Sequence, residues 1–134
     1  MTTAQLYERA ASEGYEVHKG DFPENTSFCV DLGAEGCHIA MNDGIPERLE
    51  RVCLAHELGH CERGAFYNRW SKFDLRERCE RKADKRAFEL LVPEEELNYA
   101  ISQGYCTFWA LAEYFNVTER FVRKAIAHYK GEEW

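Results

Sequence analysis

The stretch CHIAMNDGIPERLERVCLAHELGHCERG, residues 37–64, changes period once, and that change sets the architecture. Residues 37–42 alternate in the two-residue repeat of a strand with one buried face. Asn42-Asp43-Gly44 is a turn signal, and Pro46 suits the first turn of a helix, where a missing N–H breaks no hydrogen bond. Leu49, Val52 and Cys53 then recur at helical spacing, the helix runs to about Arg63, and Gly64 is a natural stop.

That helix carries HELGH. Positions four apart lie about 40° apart around a helix and about 6 Å along it, so His56 and His60 can reach one cation. Both fall on the side of Leu49, Val52 and Cys53, which turns them inward. Glu57 is offset beside the cation, the place for a base that deprotonates water held there.

Working outward, residues 3–12 read as a helix with Leu6, Tyr7 and Ala10 on its apolar side and Gly14 as its stop. A short strand is expected near Tyr15 to Lys19. SFCVDL (27–32) and CHIAMN (37–42) read as a hairpin closed by GAEG. Downstream, helices are expected over 71–91, ended by Pro93, then 94–103, 107–115 and 118–129. A small antiparallel sheet with five or six helices is the α+β class, and 134 residues suit one domain spanning 1–134.

A net charge of −7 argues against broad binding to nucleic acid or a membrane surface. No secretory pattern or long apolar run occurs, so the expected location is the cytoplasm. The six cysteines, Cys29, Cys37, Cys53, Cys61, Cys79 and Cys106, form no CxxC pair and are expected to be reduced, mostly buried thiols.

A catalytic zinc keeps three protein ligands, so the motif requires one more donor. RERCERKADKRAFELLVP (76–93) supplies one. On a helical wheel Glu80 and Asp84 share a side with Phe73, Ala87, Phe88 and Leu91. A buried, unpaired carboxylate costs several kcal/mol, so this placement calls for a cation. The bland reading, exposed i, i+4 partners on a helix dense in Arg and Lys, weakens once an inward HELGH lies next in the chain. Glu80 is therefore assigned as third ligand, and Asp84 as acceptor of a ring N–H from His56 or His60.

HELGH followed after nineteen residues by E-x-x-A-D (Glu80, Ala83, Asp84) resembles the gluzincin arrangement of zinc peptidases. CHIAMNDGIPERLERVCLAHELGH with ERKADKRAFELLVP is similar to the ImmA/IrrE-type metallopeptidases of phages, integrative elements and some stress regulons, over roughly residues 37–126. The resemblance implies a small zincin-like fold with one Zn2+ per chain. It implies His56, His60 and Glu80 as ligands and Glu57 as base. Its implied substrate is a helix-turn-helix repressor, inactivated to derepress genes. CERGAFYNRW, after HELGH, departs from the apolar-plus-His ending of many members and leaves that side of the cleft open.

Tyr67, Tyr99, Tyr105, His38 and His128 are candidate hydrogen-bond donors to an oxyanion. CHIAMN is the candidate exposed edge for a substrate strand. In the tail (about 105–130), Ala112, Asn116, Val117 and Val122 follow helix-turn-helix spacing, and a DNA reader would present Arg120, Arg123 and Lys124. The favoured alternative has Phe108, Leu111, Phe115, Phe121, Val122 and Ile126 closing the core. The rival function is a non-catalytic protein- or DNA-binding module with a structural zinc.

Overall fold

The computed structural model describes residues 1–22 and 26–134, as one helix, three strands and five further helices. Helix α1 (Thr3–Ser12) starts from a capping box in which Thr2 and Gln5 satisfy each other's backbone N–H groups. Leu6 and Ala10, one turn apart, are its fully buried positions. Strands β1 (Glu16–Gly20), β2 (Ser27–Asp31) and β3 (Cys37–Asn42) follow. GAEG closes as a single 3-10 turn over Gly33–Glu35, with the Leu32 N–H donating to the Gly36 carbonyl.

The strand order is β1-β3-β2. β2 runs antiparallel to β3 with Cys29 opposite Ile39, and β1 runs parallel to it with Val17 opposite Ile39. The sheet of this α+β fold is thus mixed, β1 being the departure from an all-antiparallel expectation. It also corrects the placing of CHIAMN, which is the central strand and has no free edge. Its own composition carries the reason: Ile39, Ala40 and Met41 are consecutive and all buried, as in a strand covered on both faces. The edge strand bordering the cleft is β2.

Helix α2 (Glu47–Arg63) ends at Gly64, whose left-handed φ of 60° lets the Gly64 and Ala65 N–H groups donate to the carbonyls of Cys61 and His60. Helix α3 (Phe73–Leu91) packs along α2 in the most extensive helix–helix contact of the fold. The two backbones meet at Gly59, where a Cβ would stand 2.4 Å from the Ala83 carbonyl oxygen. Ala87, Phe88 and Leu91 are buried as expected, but Phe73 is 79% exposed. It opens the helix, ahead of Cys79 and Ala83, the first positions that α3 buries.

Helices α4 (Glu94–Ser102), α5 (Phe108–Phe115) and α6 (Glu119–Lys130) close the core. α5 and α6 are joined by residues 116–118, with Asn116 left-handed at φ 54° and Thr118 capping α6. Leu111, Phe115, Phe121 and Val122 are buried and Ile126 packs against them. Phe108 instead stays 38% exposed beneath the Arg123 guanidinium.

A buried arginine ties the first residues of the chain to the end of α5. Arg51, on α2, donates to the carbonyls of Met1, Phe115 and Asn116 and to the Thr3 hydroxyl, so its charge meets the negative end of α5. The expectation of six reduced thiols is also corrected. Cys37 and Cys61 are joined as a disulfide, and Cys106 is exposed. No local spacing signals that bond, since it joins the first residue of β3 to the last turn of α2. Among the described residues no helix is long and apolar enough to cross a membrane.

Candidate active site

His56 and His60 leave α2 one turn apart with their rings crossed at 85° and their Nε2 atoms 3.1 Å from each other. Glu80 reaches both from α3. Its Oε2 lies 2.8 Å from His56 Nε2 and its Oε1 3.3 Å from His60 Nε2. Gly59 makes this possible, because a side chain there would push α3 away. Sequence reading passed over Gly59, although a glycine inside a helix is itself a sign of close backbone approach.

The far side of each ring is anchored. His60 Nδ1 lies 2.5 Å from the Ala65 carbonyl oxygen. A carbonyl only accepts, so Nδ1 donates to it and Nε2 is the nitrogen turned toward Glu80. His56 Nδ1 is 2.7 Å from Asp84 Oδ1, so Asp84 serves His56 while the backbone serves His60. The Ala65 carbonyl had no sequence signal, because its position depends on the turn at Gly64. Tyr67, in the segment that departs from the resembled family, donates its hydroxyl to Glu80 Oε1 at 2.6 Å.

The charges follow from these contacts. Burial alone would lower the pKa of His56, but Asp84 and Glu80 outweigh it and hold the imidazole up at about 10. Burial pushes Glu80 the other way, yet His56, His60 and Tyr67 together keep its carboxyl well below the usual range. Glu57 is buried, and burial raises its pKa against the pull of the two histidines and the Ser27 hydroxyl. A carboxylate raised in this way is a better proton acceptor. The hydrogen bond to Glu80, with burial, pushes Tyr67 up to about 12.

This donor set suits a metal. Ligands about 2.0–2.1 Å from a tetrahedral ion stand about 3.3 Å from one another, close to the spacing of the two Nε2 atoms and the Glu80 oxygens. Ligand atoms of His56, Glu57 and His60 also lie within 4.8 Å of one another, so a second carboxylate stands beside the same point. Two anchored imidazoles and a carboxylate aimed at one point, with another carboxylate alongside, define a metallopeptidase-type centre.

The sequence signature of the IrrE N-terminal-like domain (Peptidase_M78) matches residues 37–127, and the chain belongs to that family. It is thereby a peptidase-type protein with a protein substrate. Among curated proteins no match is found.

The centre lies in a cleft of about 660 Å³. One wall is Thr26 to Cys29 at β2, on the Glu57 side, and the other is the start of α6 with Thr118, Arg120, Phe121 and Lys124. Arg120 and Lys124, two of the tail's three candidate DNA-reading cations, thus line the cleft. Of the five candidate oxyanion donors only Tyr67 lies in it. His38 sits on the sheet beside His18, His128 packs by Phe88 and Trp134, and Tyr99 and Tyr105 are on the surface.

Proposed function

We propose that the protein is a zinc-dependent endopeptidase whose substrate is a helix-turn-helix repressor, cleaved in the cytoplasm to derepress genes. The observation that carries the catalytic part is the meeting of His56 Nε2, His60 Nε2 and Glu80 within 3.3 Å, with both distal ring nitrogens already engaged. His56, His60 and Glu80 are the metal ligands in this reading. A zinc ion held by these three side chains would supply Lewis acidity toward a peptide carbonyl and a water molecule, whose pKa such an ion brings toward about 7. Glu57 accepts the proton and delivers it to the leaving nitrogen. Asp84 and the Ala65 carbonyl hold the rings in register, and Tyr67 steadies Glu80.

The substrate enters as an extended segment paired along β2, the edge strand whose residues line the cleft. The chain acts as one unit from residue 1 to 134, with the helix-turn-helix-like segment at 105–130 forming a wall of the cleft. The repressor follows from the likeness of HELGH and ERKADKRAFELLVP to ImmA/IrrE-type enzymes.

The test incubates the protein with the repressor encoded beside its gene, with and without a chelator, and repeats it with Glu57→Gln. Expected are cleavage that the chelator abolishes, and a variant that keeps its zinc while proteolysis falls at least a thousandfold. Undiminished cleavage by the variant removes Glu57 from the mechanism. Zinc retention without any cleavage leaves a non-catalytic module.

A further inference from the structure

The charge of the cleft's two walls differs. Thr26 and the β2 residues Ser27, Phe28 and Cys29 are neutral, whereas α6 contributes Arg120 and Lys124. These cations stand out against a chain with 17 Lys and Arg and 24 Asp and Glu. Arg120 is exposed and has no ion-pair or hydrogen-bond partner among the described residues. Lys124 has one distant partner, Asp84 at 3.9 Å, whose other oxygen is engaged with His56. Arg123, between them in sequence, turns away to lie over Phe108. Helical spacing thus brings positions 120 and 124 to one face, and that face borders the metal centre.

A segment paired along β2 presents alternate side chains on opposite sides, so every second one points into the cleft toward α6. An acidic side chain there meets the Arg120 guanidinium, which has no partner among the described residues, and the Lys124 ammonium, held only by its 3.9 Å pair with Asp84, and a basic one is repelled. Resting on the peptidase reading above, we infer that the α6 wall selects peptides bearing an Asp or Glu beside the scissile bond, with Arg120 and Lys124 as specificity-determining residues. The same two side chains explain a basic bias in a tail that the sequence alone connects with DNA.

The experiment uses the full chain carrying Glu57→Gln, immobilised with zinc, and a synthetic peptide library of fixed apolar residues with one position varied among Asp, Asn and Lys. Retention read by mass spectrometry is expected to favour Asp over Lys about five- to tenfold, less so as salt rises. Arg120→Glu on the same background is expected to invert the ranking; Arg120 is exposed and touches no metal-centre residue, so the variant keeps its fold. Lys124→Gln, which removes the charge beside Asp84, is expected to reduce the preference for Asp without inverting it. Equal retention of all three peptides, no retention of any, or a ranking that Arg120→Glu leaves intact overturns the inference. Cleavage by the unsubstituted chain is read separately: Asp-selective retention with no cleavage overturns the peptidase reading and leaves the recognition standing.

Discussion

Two clusters in this protein contain two histidines and a glutamate, and they are built differently. In the first, His56, His60 and Glu80, the donor atoms lie 2.8–3.3 Å apart. In the second, on β1 and β3, His18 Nε2, His38 Nδ1 and Glu16 Oε2 lie 3.0–3.6 Å apart. By composition and spacing they are near equals. The first pair of rings crosses at 85°, which turns both Nε2 atoms toward Glu80. The second pair is nearly parallel, at 5°, with centroids 5.3 Å apart, so the near nitrogens face each other across a hydrogen bond. Burial separates one ring of each pair, His60 at 6% exposed against His18 at 56%, while His56 and His38 are alike. Both pairs have a nitrogen-to-nitrogen contact, but the first cluster also has an acceptor behind each ring, Asp84 at His56 and the Ala65 carbonyl at His60. Orientation and anchoring, more than the roll of residues, make a metal centre.

The sharpest way to break this comparison is to delete one ring from the first cluster and both rings from the second. His60→Ala is expected to lose the bound zinc and at least a thousandfold in activity, while His18→Ala with His38→Ala keeps one zinc per chain and full activity. Elemental analysis beside a proteolysis assay decides it, and zinc lost with the outer pair would reverse the assignment. A smaller effect tests anchoring by itself: Asp84→Asn leaves all three ligands but weakens the acceptor at His56 Nδ1. Zinc affinity should fall about 10–100-fold in a chelator competition, and an unchanged affinity would show that crossed rings suffice. A change of similar size lies one step further out. Gly59→Ala places a methyl against the Ala83 carbonyl, forcing α2 and α3 apart at a cost of about 1–3 kcal/mol. A lower Tm accompanied by weaker zinc binding is the expected pair of results. A lower Tm with full zinc affinity would uncouple helix approach from the centre.

The legibility of these features follows from how far each depends on neighbours in the chain. The elements around HELGH were readable because local periodicity, Pro46 and Gly64 are sufficient to start and stop a helix. Glu80 and Asp84 were readable because two carboxylates on the apolar face of α3 demand a partner. The strand order was not: CHIAMN looks like a free strand until β1 is seen to add on its other side. Phe73 shows the same limit, since a wheel assigns a face along a whole helix while burial begins only where another helix is met.

Local patterns also say nothing about what stands behind a ring. Asp84 was placed near the histidines, but its pairing with His56, and the Ala65 carbonyl behind His60, depend on the path of the chain after Gly64. The Cys37–Cys61 bond and the buried Arg51 are hidden for the same reason, as each joins segments far apart in sequence.

The sequence by itself determined the class of the fold, the helix that carries the two histidines, and the donor types a metal would find, because these follow from periodicity and side-chain chemistry within a few turns. Only the tertiary structure decided that β2 forms the edge, that Tyr67 holds Glu80, and that Arg120 and Lys124 face the centre. Those are relations between elements, set by the close approach at Gly59 and by the order of strands, and no local pattern encodes the distance between two segments that meet only when the chain is folded.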